Sequence, residues 1–222
     1  MIRINLVGQL GNQMYQYAFC RSLANKLGYN FYCGKGVNLR FGDNNDKIIY
    51  KHFDIPEGII DGEIETHYIE EKNNINSIKN NTLLHGFYQN EKYFDKNDVI
   101  KWFNFDKYGF INPYDDDICF IHYRGTDFIK TSMNLNSDYY EKAIDRMNAG
   151  YYIILTDDIV NADKIFKNIK CDYKILKNED IYDLYLLSTA HNIIASNSTF
   201  CDWGIILNSN IKNIISSKNI NY

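Results

Sequence analysis

Four short stretches of the sequence carry residue types that can bind an anion or a hydroxylated ligand, and each follows an apolar run. They are Gly8-Gln9-Leu10-Gly11-Asn12-Gln13, His122-Tyr123-Arg124-Gly125-Thr126-Asp127, Thr156-Asp157-Asp158 and Ser196-Asn197-Ser198-Thr199-Phe200. In the first, a glycine turn opens a helical pattern, where free backbone N–H groups and the positive helix end suit an anion or a sugar hydroxyl. The same turn also serves as a plain strand-to-helix closure, and its G-x-x-G-N spacing is not the G-x-G-x-x-G of dinucleotide binding. In the second, strand alternation sends His122 and Arg124 to one face. A guanidinium there can fork onto a diphosphate, and an imidazole can hydrogen-bond a base or a phosphate. The other reading is an internal ion pair from Arg124 to Asp127 that braces the loop. Ser198-Thr199 opens a helix and either caps it or holds phosphate. Asp157-Asp158 can meet a ligand or cap the helix that follows.

The elements that position these residues alternate. Ile2 to Val7 reads as a strand, and Met14, Tyr17, Ala18, Leu23, Ala24 and Leu27 then recur at helical spacing, with Gly28 as the stop. Residues 34–81 carry weak periodicity and are expected to be irregular or to hold short helices. Leu83 to Tyr88 reads as a strand, with a short helix near Glu91 to Phe94. In the second half, strands are predicted over 118–123, 151–155, 173–176, 192–195 and 213–215. Helices are predicted between them over 138–149, 161–168, 180–189 and 198–207, the first starting near Asp138 and stopped by Gly150. Such alternation implies parallel βαβ units, hence a doubly wound α/β fold that binds ligands at the carboxyl ends of its strands. The turn Asn112-Pro113-Tyr114-Asp115-Asp116-Asp117 divides two such domains, 1–112 and 113–222.

Composition narrows the function. With 24 Lys and Arg against 28 Asp and Glu the net charge is −4, so no basic excess exists for nucleic acid. No apolar run approaches the ~20 residues that span a bilayer. Met1-Ile2-Arg3-Ile4-Asn5 leads straight to a polar loop, so neither a secretory leader nor an integral membrane segment is expected. Peripheral association with a membrane stays open, and a cytoplasmic location is expected. Five cysteines without C-x-x-C spacing, and five histidines without a paired motif, give a metal no sequence support. Asp115-Asp116-Asp117 holds a D-x-D pattern of the kind that binds divalent metals, but it precedes its strand, at the end away from ligands.

Taken in order, the motifs resemble the α-1,2-fucosyltransferases of glycosyltransferase family 11. Leu10-Gly11-Asn12-Gln13-Met14-Tyr15-Gln16-Tyr17-Ala18-Phe19 is similar to that family's G-G-L-G-N-Q-M-F-Q-Y-A-F signature, and His85-Gly86-Phe87-Tyr88-Gln89-Asn90-Glu91-Lys92-Tyr93-Phe94 to its G-Y-F-Q-S-E-K-Y-F segment. Asp183 to Ser188 and Asn192 to Gly204 resemble its D-x-x-L-M-S and H-N-I-I-A-N-S-S-F-S-W-W-G block. Two departures stand out. The family's H-x-R-R-G-D becomes His122-Tyr123-Arg124-Gly125-Thr126-Asp127, without the second arginine, and Asp202 replaces the first tryptophan of the W-W pair.

The resemblance implies a GT-B-like fold of two Rossmann-like domains with parallel sheets and a cleft between them. It implies GDP-fucose as donor, a glycan acceptor, and inverting transfer of L-fucose without a metal or other cofactor, forming an α-1,2 linkage. It places Arg124 on the donor phosphate, His122 and Asp183 on guanine, and Gly11, Asn12, Asn197, Ser198, Thr199 and Phe200 around the donor. The catalytic set expected is Arg124, Asp127 as base and Asn12 to position acceptor or fucose. The alternatives are transfer from another nucleotide sugar and a non-catalytic nucleotide- or glycan-binding domain. A nicotinamide-dependent oxidoreductase fails on the absent glycine fingerprint.

Overall fold

The computed structural model describes residues 1–35, 48–70, 74–125 and 135–217. The chain forms two compact units, Met1–Asn104 and Phe105–Tyr222. The turn at residues 112–117 therefore lies within the second unit, where Asn112 Oδ1 accepts the Tyr114 N–H (3.0 Å) and the Tyr114 ring meets Phe120 edge-on at 5.5 Å.

The first unit contains β1 (Ile2–Leu6), α1 (Leu10–Leu27), β2 (Phe31–Lys35), α2 (Ile48–His52), β3 (Thr66–Ile69), β4 (Thr82–His85) and α3 (Lys96–Trp102). Its four strands are all parallel, in the order β2-β1-β4-β3. Ile2, Ile4 and Leu6 alternate inward from β1, and α1 buries Met14, Tyr17, Ala18, Leu23 and Ala24, ending at Gly28 as the periodicity predicts. β2 starts ahead of the weakly patterned region 34–81 and β3 lies inside it, and periodicity reveals neither. The strand expected over 83–88 ends at His85, because Tyr88 turns to φ +55°. That uncommon backbone is held from two sides: the Glu70 carboxylate accepts the Phe87 and Tyr88 N–H groups (2.9 and 2.7 Å), and the Tyr88 ring stacks on Phe19 at 4.1 Å.

The second unit alternates β5 (Cys119–Tyr123), α4 (Ser137–Met147), β6 (Tyr152–Thr156), α5 (Ile159–Phe166), β7 (Tyr173–Leu176), α6 (Asp180–Thr189), β8 (Asn192–Ile194), α7 (Thr199–Leu207) and β9 (Asn213–Ile215). The strands are parallel, ordered β7-β6-β5-β8-β9. Every residue of β5 and β6 is buried, since both faces of the sheet carry a core. Cys119, Ile121 and Tyr123 face one cluster with Tyr139, Tyr140 and Phe166, while Phe120, Ile153 and Leu155 face another with Leu186, Leu187 and Cys201. Two helix ends differ from expectation. Asn136, not Asp138, caps α4 by accepting the Tyr139 N–H (3.1 Å), and Asn148 at φ +52° ends it before Gly150.

Among the described residues, no helix is long and apolar enough to cross a membrane.

Candidate functional site

Strand order in the second sheet reverses between β5 and β8, and ligands of open parallel sheets bind at the carboxyl side of such a reversal. The segments delivered there are His122 to Gly125 and Ala195 to Ser198, two of the four stretches singled out from sequence. His122 is 5% exposed, its Nδ1 lies 2.6 Å from Ser196 Oγ on the neighbouring strand end, and its ring stacks against Phe200 at 5.5 Å. Burial first, and the charge of Arg124 second, push its pKa down to about 4, with Asp157 opposing. The imidazole is thus neutral near pH 7, fixed by Ser196, with Nε2 as the ring nitrogen that can meet a ligand.

Arg124 points the other way along the sheet edge. Its Nη1 lies 2.6 Å from Asp157 Oδ2, in the loop after β6, and Asp157 Oδ1 accepts the Gly125 N–H at 2.9 Å. Asp127 lies outside the described residues, and the carboxylate shown pairing with Arg124 is Asp157. One aspartate thus anchors both the guanidinium and the backbone beside it. Sequence spacing could not show this, because 33 positions and a crossover helix separate the partners.

The missing second arginine has a steric setting. A Cβ at Gly125 would stand 2.4 Å from Asp158 Cβ. Asp158 is not free to yield: it caps α5, accepting the Asn161 N–H (3.1 Å) and side-chain amide (2.7 Å). These hydrogen bonds, the largest cause, hold its carboxyl below the usual range. Gly125 and Asp158 therefore interlock, and the Asp157-Asp158 pair divides its work between arginine and helix cap.

Ser198 caps α7: its Oγ accepts the Phe200 N–H at 3.3 Å. Thr199 opens the helix and Phe200 covers His122, while Asn197 Oδ1 accepts from the Ser217 hydroxyl. Asp183 lies in the first turn of α6, at the carboxyl side of β7, two strands from β5. It is 7% exposed, and burial, with a further push from Asp180, raises its pKa to about 7 against the hydrogen bond from Asn178 Nδ2 (2.7 Å). Contacts thus gather the predicted residues into three groups on one sheet edge: His122 with Ser196 and Phe200, Arg124 with Gly125 and Asp157, and Asp183 with Asn178.

In the first unit the reversal of strand order falls between β1 and β4. Gly8 adopts φ +82°, and a Cβ there would meet Asn12 Nδ2 at 2.7 Å, so only glycine lets Asn12 sit over the turn. Asn12 Oδ1 accepts from Gln89 Nε2 (2.9 Å), linking the first two sequence motifs across the reversal. The signature's glutamines act inward. Gln16 exchanges hydrogen bonds with the Val7 N–H (2.9 Å) and C=O (3.1 Å), and Gln13 donates to the Gly8 carbonyl (3.0 Å) and accepts from the Ile49 N–H (3.2 Å). Gly11 is buried at the start of α1. The spacing of residues did not foresee that Gln89 would hold Asn12, nor that Asp157, expected to meet a ligand or cap a helix, would pair with Arg124.

Of the D-x-D turn, Asp116 pairs with His191 (3.0 Å) and Lys212 (3.7 Å). Among the described residues no group of three or more His, Cys, Asp or Glu side chains could hold a metal ion.

The chain thus holds two parallel Rossmann-like α/β units, each with its own reversal point, and part of it is similar in sequence to a glycosyltransferase. No family model matches the chain. A stretch of 102 residues is 34% identical to the O-antigen biosynthesis glycosyltransferase WbnK of Escherichia coli, over 40% of this chain and 34% of that protein. The match therefore spans about a third of that relative's length. Among solved structures, POFUT1 in complex with GDP aligns with a TM-score of 0.50 at 9% identity, over 97% of each chain. POFUT1 in complex with GDP-fucose aligns with a TM-score of 0.46, also at 9% identity, over 97% of this chain and 96% of that one.

Proposed function

We propose that the protein is an inverting glycosyltransferase that moves L-fucose from GDP-fucose to a sugar hydroxyl of a glycan, forming an α-1,2 linkage, in the cytoplasm and without a metal. The observation that carries this reading is Arg124, anchored by Asp157 at the carboxyl end of β5 beside a neutral, buried His122. A transferase without a metal must neutralise the departing diphosphate with fixed donors, and in this reading Arg124 and the N–H groups opening α7 supply them. His122 Nε2 hydrogen-bonds guanine, and ionised Asp183 accepts the N–H groups of the guanine edge. The acceptor hydroxyl attacks the anomeric carbon, the bond from that carbon to the β-phosphate oxygen breaks, and the hydroxyl proton passes to Asp127. Asn12, tied to Gln89, positions acceptor or fucose. The likeness to WbnK supports a glycan acceptor of the O-antigen kind.

The Arg124–Asp157 pair also favours a second reading, a non-catalytic nucleotide-binding domain in which the arginine serves only as a brace. Slow hydrolysis measured without acceptor separates the two. A fucosyltransferase releases fucose from GDP-fucose in preference to the sugars of GDP-mannose and UDP-galactose; a brace-only domain binds nucleotide and hydrolyses none of them.

A further inference from the structure

We infer that Ser196 is a positioning residue: its hydroxyl makes His122 a hydrogen-bond donor at Nε2, and that donor selects a base with a carbonyl oxygen at purine position 6, guanine rather than adenine. This role rests on the nucleotide site proposed above and adds what sets its choice of base. His122 Nδ1 and Ser196 Oγ lie 2.6 Å apart, and the two residues are 5% and 7% exposed. The imidazole is neutral at pH 7, so one ring nitrogen carries a hydrogen and the other a lone pair. The hydroxyl brings one hydrogen of its own. Two arrangements fit the distance. In one, Nδ1–H donates to Oγ; in the other, the hydroxyl donates to Nδ1 and the ring hydrogen sits on Nε2.

Accounting for each hydrogen decides between them. Among the described residues Ser196 Oγ has no second partner. Were Nδ1 the donor, the hydroxyl hydrogen would be left without an acceptor in a closed setting, and an unpaired buried donor is costly. With the hydroxyl donating, that hydrogen is used, Nδ1 is satisfied, and Nε2–H is the group left to bond. Nε2 is open for it. It makes no bond with the described residues, and it is not one of their side-chain atoms buried without a partner, which are Arg3 Nε, Asn5 Oδ1 and Ser22 Oγ. The ring is held from one face by Phe200, stacked at 5.5 Å, and the His122 carbonyl accepts from the Tyr140 hydroxyl at 3.4 Å. A donor at Nε2 bonds the position-6 oxygen of guanine and opposes the amino group that adenine carries there, whereas an acceptor at Nε2 would do the reverse. Ser196 thus turns a ring that could read either base into one that reads guanine.

NMR of the whole chain labelled with 15N-histidine shows which ring nitrogen carries the hydrogen, and His122→Gln assigns the signal. At pH 7 the parent should carry it on Nε2. Calorimetry with GDP, inosine diphosphate and ADP then reads the base, since the ribose and diphosphate are common to all three. The parent should prefer GDP and inosine diphosphate, which share the carbonyl, over ADP. Ser196→Ala should lower that preference by about 3- to 10-fold, the worth of one hydrogen bond, and Ser196→Thr, which keeps the hydroxyl, should retain it. A ring hydrogen on Nδ1 in the parent overturns the inference, as does a folded Ser196→Ala variant that keeps the parent's full preference. A ring hydrogen on Nε2 with equal affinity for GDP and ADP in the parent overturns guanine as the base, and with it the proposed donor, while leaving Ser196 as the residue that sets the tautomer.

Discussion

The two sheets are built on one plan and serve different purposes. Both are wholly parallel and both reverse strand order near the middle. In the second, β5 and β6 are buried along their whole length between two apolar clusters. In the first, β1 alternates: Ile2, Ile4 and Leu6 are buried while Arg3 and Asn5 are half-exposed on the other face, where Arg3 Nε and Asn5 Oδ1 are buried without a hydrogen-bond partner. A sheet covered on both faces can hold titratable groups at its edge in a low-dielectric setting, as the shifts of His122 and Asp183 show. The first sheet places its polar residues on a face and holds Asn12 by neutral amide contacts. The two reversal points thus differ in charge, with ionisable His122, Arg124 and Asp157 in the second unit against neutral Asn12 and Gln89 in the first, and substitutions at the former should cost more.

The largest effect expected is on turnover. If the Arg124 cation acts as charge grows on a leaving diphosphate, as proposed, Arg124→Ala should lower turnover by about 100- to 1,000-fold, roughly 2.7–4 kcal/mol. Arg124→Lys should recover little, because an ammonium lacks the guanidinium fork. Steady-state kinetics and a melting curve on one preparation separate catalysis from bracing. A variant that melts early but turns over normally would make the arginine structural.

Acid–base behaviour sharpens the contrast next. Asp183 has its pKa raised from 3.8 to about 7 in the folded chain, so its contribution to stability is complete below 3.8 and is lost as pH rises to about 7. His122 has its pKa lowered from 6.5 to about 4, so its contribution is complete above 6.5 and is lost as pH falls to about 4. The two oppose each other over a shared window, each by on the order of a few kcal/mol. Urea unfolding of Asp183→Asn should therefore show stability rising with pH between 4 and 6.5, and His122→Gln should show it falling. Profiles parallel to that of the parent would contradict the placement of both groups.

A smaller loss should follow Gly125→Ala, whose Cβ meets Asp158 Cβ at 2.4 Å. Overpacking of this kind costs about 1–3 kcal/mol. The added substitution Asp158→Gly should recover part of it, less the lost cap of α5. If Gly125→Ala melts like the parent, the interlock is not what keeps a side chain out of position 125.

The smallest effect is expected in the first unit. A double-mutant cycle of Asn12→Ala and Gln89→Ala should give a coupling of about 0.5–1.5 kcal/mol, that of one neutral hydrogen bond. A coupling as large as the Arg124 effect would erase the distinction between the sheets.

The same difference decides what the sequence reveals. Cys119 to Tyr123 and Tyr152 to Thr156 are continuous apolar runs because both faces are covered, and periodicity places them within a residue. Phe31-Tyr32-Cys33-Gly34-Lys35 and Thr66-His67-Tyr68-Ile69 are half-exposed strands with broken apolar pattern, so β2 and β3 pass unnoticed. The site is legible where one strand delivers it, as with His122 and Arg124, or where a helix start does, as with Ser198. Asp157 and Gln89 act through contacts made by the fold, at sequence separations of 33 and 77 that no local pattern encodes.

The central claim is that Arg124, anchored by Asp157, grips a diphosphate. Calorimetry with GDP and guanosine on the parent and on Arg124→Ala tests it without an acceptor. The parent should bind GDP more tightly than guanosine, and Arg124→Ala should remove most of that advantage while leaving guanosine affinity in place. An Arg124→Ala variant that stays folded and keeps the full preference for GDP would contradict it.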